Sequence, residues 1–204
     1  MGYLEATVVL YLRAALDASL GSGPPQVEAF TRFSTVEVVR ELATLVMIAA
    51  VAWLAGTNGW ERLAWAAVIF GAWDITYYAG LWLIAGWPPT LVTWDVLFLV
   101  PRPWVGPVWA PMLVSAVLVG FGLAGARWAR AAVHPAVSRL GVAVAVTGGA
   151  LVVVSFLVDS DGVLAGTTDQ WGGWPIYWLG LILASLAALL TITRRGVSQA
   201  RAGP

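Results

Sequence analysis

Five apolar runs, at approximately residues 36–56, 62–86, 106–126, 138–158 and 174–193, dictate what this chain can become. Each is close to the roughly 20 residues an α-helix needs to cross about 30 Å of hydrocarbon. Within lipid every backbone polar group must be bonded inside its own segment, so each run is predicted to be a helix. The fold class that follows is all-α: a polytopic transmembrane helix bundle of five spans. Composition agrees, since 60% of residues are hydrophobic and 11% charged, against about 25% charged in soluble domains.

Three stretches organise the chain: residues 1–34, an N-terminal helix with a Gly/Pro linker; 35–195, the bundle; and 196–204, a tail. In residues 3–20, Glu5, Arg13 and Asp17 share one helical face and Leu4, Val8, Leu12 and Leu16 another. That pattern predicts an amphipathic helix lying in the membrane interface, with a tilted sixth span as the alternative. The opening lacks the basic leader and cleavage site of a secretory signal, so it is predicted to stay attached. Met1-Gly2 resembles an acylation start, but Ala6 stands where Ser or Thr is required. Ser34-Thr35-Val36-Glu37 has the spacing of a capping box and is predicted to start the first span. Gly56-Thr57-Asn58-Gly59 is a tight reversal that makes the first two spans antiparallel neighbours.

Charge placement predicts orientation. Arg127, Arg130 and Arg139 flank one connection, and Arg194, Arg195 and Arg201 follow the last run, whereas Ser160 to Gly173 carries Asp161 and Asp169 and no basic residue. By the positive-inside rule the Arg-rich ends and the C-terminus face the cytoplasm, in the inner membrane of a bacterium. Arg13, Arg32 and Arg102 then fall on the opposite side, against the rule. The eleven basic residues are all Arg, balanced to zero net charge and dispersed at segment ends, which excludes a nucleic-acid surface. With no Cys there are no thiolate metal sites, and the single His134 cannot ligate haem from two sides. No cofactor or metal site is expected.

Small residues recur every fourth position in three runs: Ala116, Gly120 and Ala124; Gly141, Ala145 and Gly149; Gly180, Ala184 and Ala188. They let helix backbones approach closely in lipid, and contact within the bundle is the preferred reading over an oligomer face.

Asp74 stands at the middle of the apolar run from Leu63 to Ala85. A charge there costs about 2.5–3.5 kcal/mol on insertion scales, so it is expected to face protein or water and to mark a site. Tyr77 and Tyr78, three and four residues on, share its face. Between the second and third spans, residues 88–103 are bracketed by prolines and too short to cross, which predicts a re-entrant or interfacial element. Within it a second Trp-Asp pair, Trp94-Asp95, precedes Arg102. The expected binding locus is therefore Asp74, Tyr77, Tyr78, Trp94, Asp95 and Arg102, with Arg102 neutralising the two carboxylates. Arg40, flanked by Glu37 and Glu41, is a second candidate cation.

The block WDITYYAGLWLIAGWPPTLVTWDVLFLVPRPWVGPVWAP, with RELATLVM upstream, resembles a group of uncharacterised bacterial polytopic membrane proteins sharing these spaced Trp-Asp, Tyr-Tyr, Gly-Trp-Pro and Pro-x-Pro-Trp elements. The resemblance covers roughly residues 40–112. It implies the membrane fold and no activity.

Asp159-Ser160-Asp161-Gly162 opens like a calcium loop but lacks the later ligands. No phosphate loop, zinc motif or nucleophile elbow occurs, and no catalytic residue is assigned. The leading expectation is a small transporter or channel-like protein using Asp74 and Asp95 as polar or protonatable positions. The rival is a non-catalytic subunit or scaffold, whose partners would be the lipid bilayer, a second copy or other membrane subunits.

Overall fold

The computed structural model describes residues 1–20, 27–100, 102–130, 139–158, 160–165 and 170–201. His134, Asp159, Asp169 and nearly all of the Gly/Pro linker lie outside them. In chain order the elements are α1 (Gly2–Leu20), α2 (Val27–Ala55), α3 (Gly59–Ala85), β1 (Trp94–Phe98), β2 (Trp104–Pro107), α4 (Trp109–Arg130), α5 (Arg139–Leu157), α6 (Ser160–Leu164) and α7 (Trp174–Arg201). Four stretches, Thr35–Ala55, Gly59–Ala85, Trp109–Ala129 and Arg139–Leu164, are long and apolar enough to cross a membrane. The chain is a helical membrane protein.

The α2–α3 reversal is fixed by its polar residues. Asn58 caps α3 by accepting the Glu61 amide at 3.0 Å, and the Glu61 carboxylate accepts the Thr57 amide at 2.9 Å and hydroxyl at 2.7 Å. Arg62 lies over the Trp53 ring, 3.6 Å from its centroid, and donates to the Gly56 carbonyl. The other end of α3 stops at Gly86, whose positive φ of 63° a side chain would disfavour. Ser34-Thr35-Val36-Glu37 does not start a helix, because α2 is already under way from Val27. Glu37 instead bonds Arg40 on the same helix.

Helices pair through small residues. A Cβ at Gly148 would lie 2.7 Å from the Gly180 carbonyl, and one at Gly180 would lie 2.6 Å from the Gly148 carbonyl, so the α5 and α7 backbones touch there. Gly122 meets the Ala64 carbonyl in the α3–α4 contact in the same way. Of the three expected ridges, the one beginning at Gly180 makes its contact, whereas Gly120 and Gly149 face open space. On α4 and α5 the glycines in contact are Gly122, Gly125 and Gly148, which point around the helix from the regular ridge.

Helix α1 packs on the bundle. It runs along α3, with Gly2 against the backbone from Trp73 to Tyr77 and Ala6 against Gly80. Its buried face is Glu5, Ala6 and Val9, while Tyr3, Leu4, Val8 and Tyr11 are exposed. Leu4 and Val8, of the face expected to seek the membrane, point away from the protein, and the charged residue Glu5 points into it. Arg40 and Thr44 supply the reason, since the first pairs with the Glu5 charge inside the bundle and the second donates its hydroxyl to it at 3.0 Å.

Residues 88–103 also depart from an all-α reading. β1 and β2 form an antiparallel hairpin, Asp95 opposite Gly106, with a bulge between Val96 and Phe98. Two further backbone bonds, Val108 to Thr93 and Trp109 to Leu91, join it to the start of α4. The hairpin rests on an aromatic cluster in which Phe156 stacks on Trp171 and Trp104, and the fully buried Tyr177 donates to the Ala110 carbonyl at 2.8 Å. Large aromatic faces take the place of the longer hydrophobic strands that would otherwise hold so small a sheet.

Candidate functional site

Asp74 is 8% exposed and accepts the Ser115 hydroxyl at 2.8 Å. Ser115 is six residues into α4, about 9 Å from its start at 1.5 Å per residue. Asp74 is therefore two turns beneath the hairpin, near one end of the helical bundle, although it is central in its own apolar run. The displacement arises because α3 continues past the first turn of α4 to reach Gly86.

Asp95, 9% exposed on β1, accepts the Tyr78 hydroxyl at 3.0 Å and lies close enough to Asp74 for the two charges to interact. The hairpin and α3 thus bring together three of the expected residues, Asp74, Tyr78 and Asp95. Tyr77 adjoins them, its ring edge-on to Tyr78 at 5.1 Å and stacked on Trp73 at 6.1 Å. It is also within electrostatic reach of the Arg40 guanidinium.

Two expected members sit elsewhere. Arg102, 47% exposed, bonds Asp161 at 2.6 Å and Ser160 at 3.4 Å and does not neutralise the carboxylate pair. Arg102 lies between the two strands and reaches α6, so its nearness to Asp95 in sequence is lost in space. Trp94 packs against the aromatic cluster around Phe156 and Tyr177.

Arg40, the second candidate cation, is engaged by other carboxylates. It bonds Glu37 at 2.8 and 2.6 Å and pairs with Glu5. Its neighbour Glu41 is buried and accepts the Leu99 backbone amide with both oxygens, at 3.1 and 3.0 Å, which ties the far end of β1 to α2. Helix periodicity made the Glu37–Arg40 pair legible. Glu5, Thr44, Ser115 and the Leu99 amide had no such signal, because their partners are 39 to 58 residues away.

Two sets of groups result: Asp74 and Asp95 with the hydroxyls of Tyr77, Tyr78 and Ser115, and Glu5, Glu37 and Glu41 with the Arg40 guanidinium and the Thr44 hydroxyl, joined by the electrostatic reach between Arg40 and Tyr77. Such a set can exchange protons and hold a small cation. It contains no activated nucleophile. Among the described residues no three acidic or His side chains converge tightly enough to bind a metal ion. No protein-family model matches the chain, and neither a curated protein nor a solved structure is significantly similar to it.

Proposed function

We propose that the protein moves protons or small cations across, or partway across, the membrane in which it sits, with Asp74 and Asp95 as the exchanging carboxylates. One observation carries this reading: two buried acids on different elements lie within electrostatic reach of one another, Asp74 accepting the Ser115 hydroxyl and Asp95 the Tyr78 hydroxyl. A buried carboxylate is expensive in lipid and marks ion or proton pathways when it lines one. In this reading α7 supplies a fifth crossing through its apolar stretch Trp174–Leu190. The Arg-rich ends then face the cytoplasm of a bacterial cell, and the hairpin covers the outer end. The resemblance to bacterial polytopic membrane proteins fits that setting.

A second reading, a scaffold or subunit of a membrane complex, has its own support. The Ser115–Asp74 bond lies beside Gly71, where α3 approaches the Ser115 carbonyl most closely, so it also fastens two helices together. Flux measurement separates the two. In liposomes with an imposed pH or cation gradient, the wild-type protein should conduct, and Asp74→Asn, which keeps the side-chain shape, should conduct at least tenfold less. A wild type without flux of protons, sodium or potassium sinks the transport reading and leaves the scaffold.

A further inference from the structure

Protons and metal cations ask different things of the groups around Asp74. A sodium or potassium ion gives up water only where oxygen ligands replace its hydration shell, and inside membranes these come from rings of carbonyls or from unwound helix ends. Helix α3 is unbroken from Gly59 to Ala85 and α4 from Trp109 to Arg130, so the backbone at Asp74 and Ser115 is regular helix, its carbonyls bonded to amides four residues on. The carbonyls just before Asp74 are engaged further: the Thr76 hydroxyl donates to that of Ala72 at 2.7 Å and lies 3.0 Å from that of Trp73. The Ser115 carbonyl is packed on Gly71, and Asp95 stands in a paired strand, opposite Gly106.

Two carboxylates and two hydroxyls are left for an ion. Both hydroxyls already direct a hydrogen at an acid, Ser115 at Asp74 and Tyr78 at Asp95. Trp73, stacked on Tyr77, adds another donor, a buried indole N–H for which no described residue supplies an acceptor. A proton needs no such ligand shell. Its uptake turns a carboxylate into a carboxylic acid and its release restores the carboxylate, with no other bond made or broken. A hydroxyl donates to a carboxylate oxygen or to the carbonyl oxygen of the acid, so Ser115 and Tyr78 serve both states where they stand.

The other titratable groups around the pair have standing partners. On α2 and α1, Arg40 is held by Glu5 and Glu37, and Glu41 by the Leu99 amide. Tyr77 is stacked on Trp73 within reach of Arg40. Helix α4 carries no ionisable residue before Arg127, about 18 Å past Ser115 at 1.5 Å per residue.

We infer that the pair of Asp74 and Asp95 binds protons and rejects sodium and potassium. The inference builds on the transport reading, in which it makes the proton the ion moved, but its test is made at equilibrium and does not need flux.

The test is infrared difference spectroscopy of the full chain in phosphatidylcholine liposomes, titrated with acid at constant ionic strength while sodium or potassium replaces choline. Lowering the pH should raise a carboxylic-acid carbonyl band, part of which should be missing in Asp74→Asn and in Asp95→Asn. Its midpoint should be the same in all three salts. A metal cation competing for the carboxylates would pull the midpoint down by about one pH unit for each tenfold rise in its concentration. Such a shift in sodium or potassium overturns the inference and leaves the transport reading standing, with a metal cation as its ion. A band unchanged in both Asn variants overturns it as well. The salt comparison uses the wild type alone, so it decides the matter even where an Asn variant fails to fold. A midpoint indifferent to salt in a protein that passes no ions supports the proton site and removes the transport reading, so the two fail separately.

Discussion

Ser115 and Asp74 form a donor–acceptor pair whose two ends respond differently to substitution. Ser115→Ala leaves a buried carboxylate short of its hydroxyl, at a cost of about 1–3 kcal/mol. Asp74→Asn keeps an oxygen acceptor in place and should cost less, even though it removes the charge on which flux depends. Thermal unfolding in detergent should therefore rank Ser115→Ala below Asp74→Asn, whereas the flux assay should reverse that order. Glu41 offers a parallel case. Glu41→Ala strands the Leu99 amide, again for about 1–3 kcal/mol, and Glu41→Gln, still an acceptor, should recover much of the loss. Fluorescence of the hairpin tryptophans, read against the global melt, would show whether the sheet loosens before the helices do.

Among the elements, neighbouring glycines on α5 carry opposite expectations. Gly148→Val drives a side chain into the Gly180 carbonyl and should destabilise by about 1–3 kcal/mol or more through overpacking, while Gly149→Val, in open space, should change the melting temperature little. The sequence shows both glycines and cannot tell them apart, because spacing fixes a ridge but not the direction in which the bundle turns it. On α1 the pattern separates an outward apolar face from the side on which the small or polar residues Gly2, Glu5 and Ala6 make the contacts, but it does not name α3 as the neighbour. Four of the long helices were legible from hydropathy alone. The hairpin was not, since strands of five and four residues between prolines are held by distant rings and by Glu41 more than by local pattern. Of the site, the two acids and Tyr78 were legible as costly or hydroxyl-bearing groups, while Arg102 was misplaced because sequence proximity does not survive a turn.

For the molecule as a whole, orientation is open to a clean measurement, because the chain has no cysteine to interfere. Single substitutions Arg127→Cys and Asp161→Cys place a thiol at exposed positions on opposite ends. On intact cells a membrane-impermeant maleimide should label Asp161→Cys and spare Arg127→Cys until the cells are opened. The reverse pattern would invert the proposed topology and turn the carboxylate locus toward the cytoplasm.

The hairpin also bears on how the chain is made. It is synthesised between α3 and α4, yet Trp104 and Gly106 rest on Phe156, and Arg102 reaches Asp161. A nascent chain that has emerged only as far as α4 thus has its sheet residues without their seat, and the last third of translation supplies it. Release of a chain truncated before α5 should yield a product whose first four helices insert while its tryptophans stay open to quenchers and proteases.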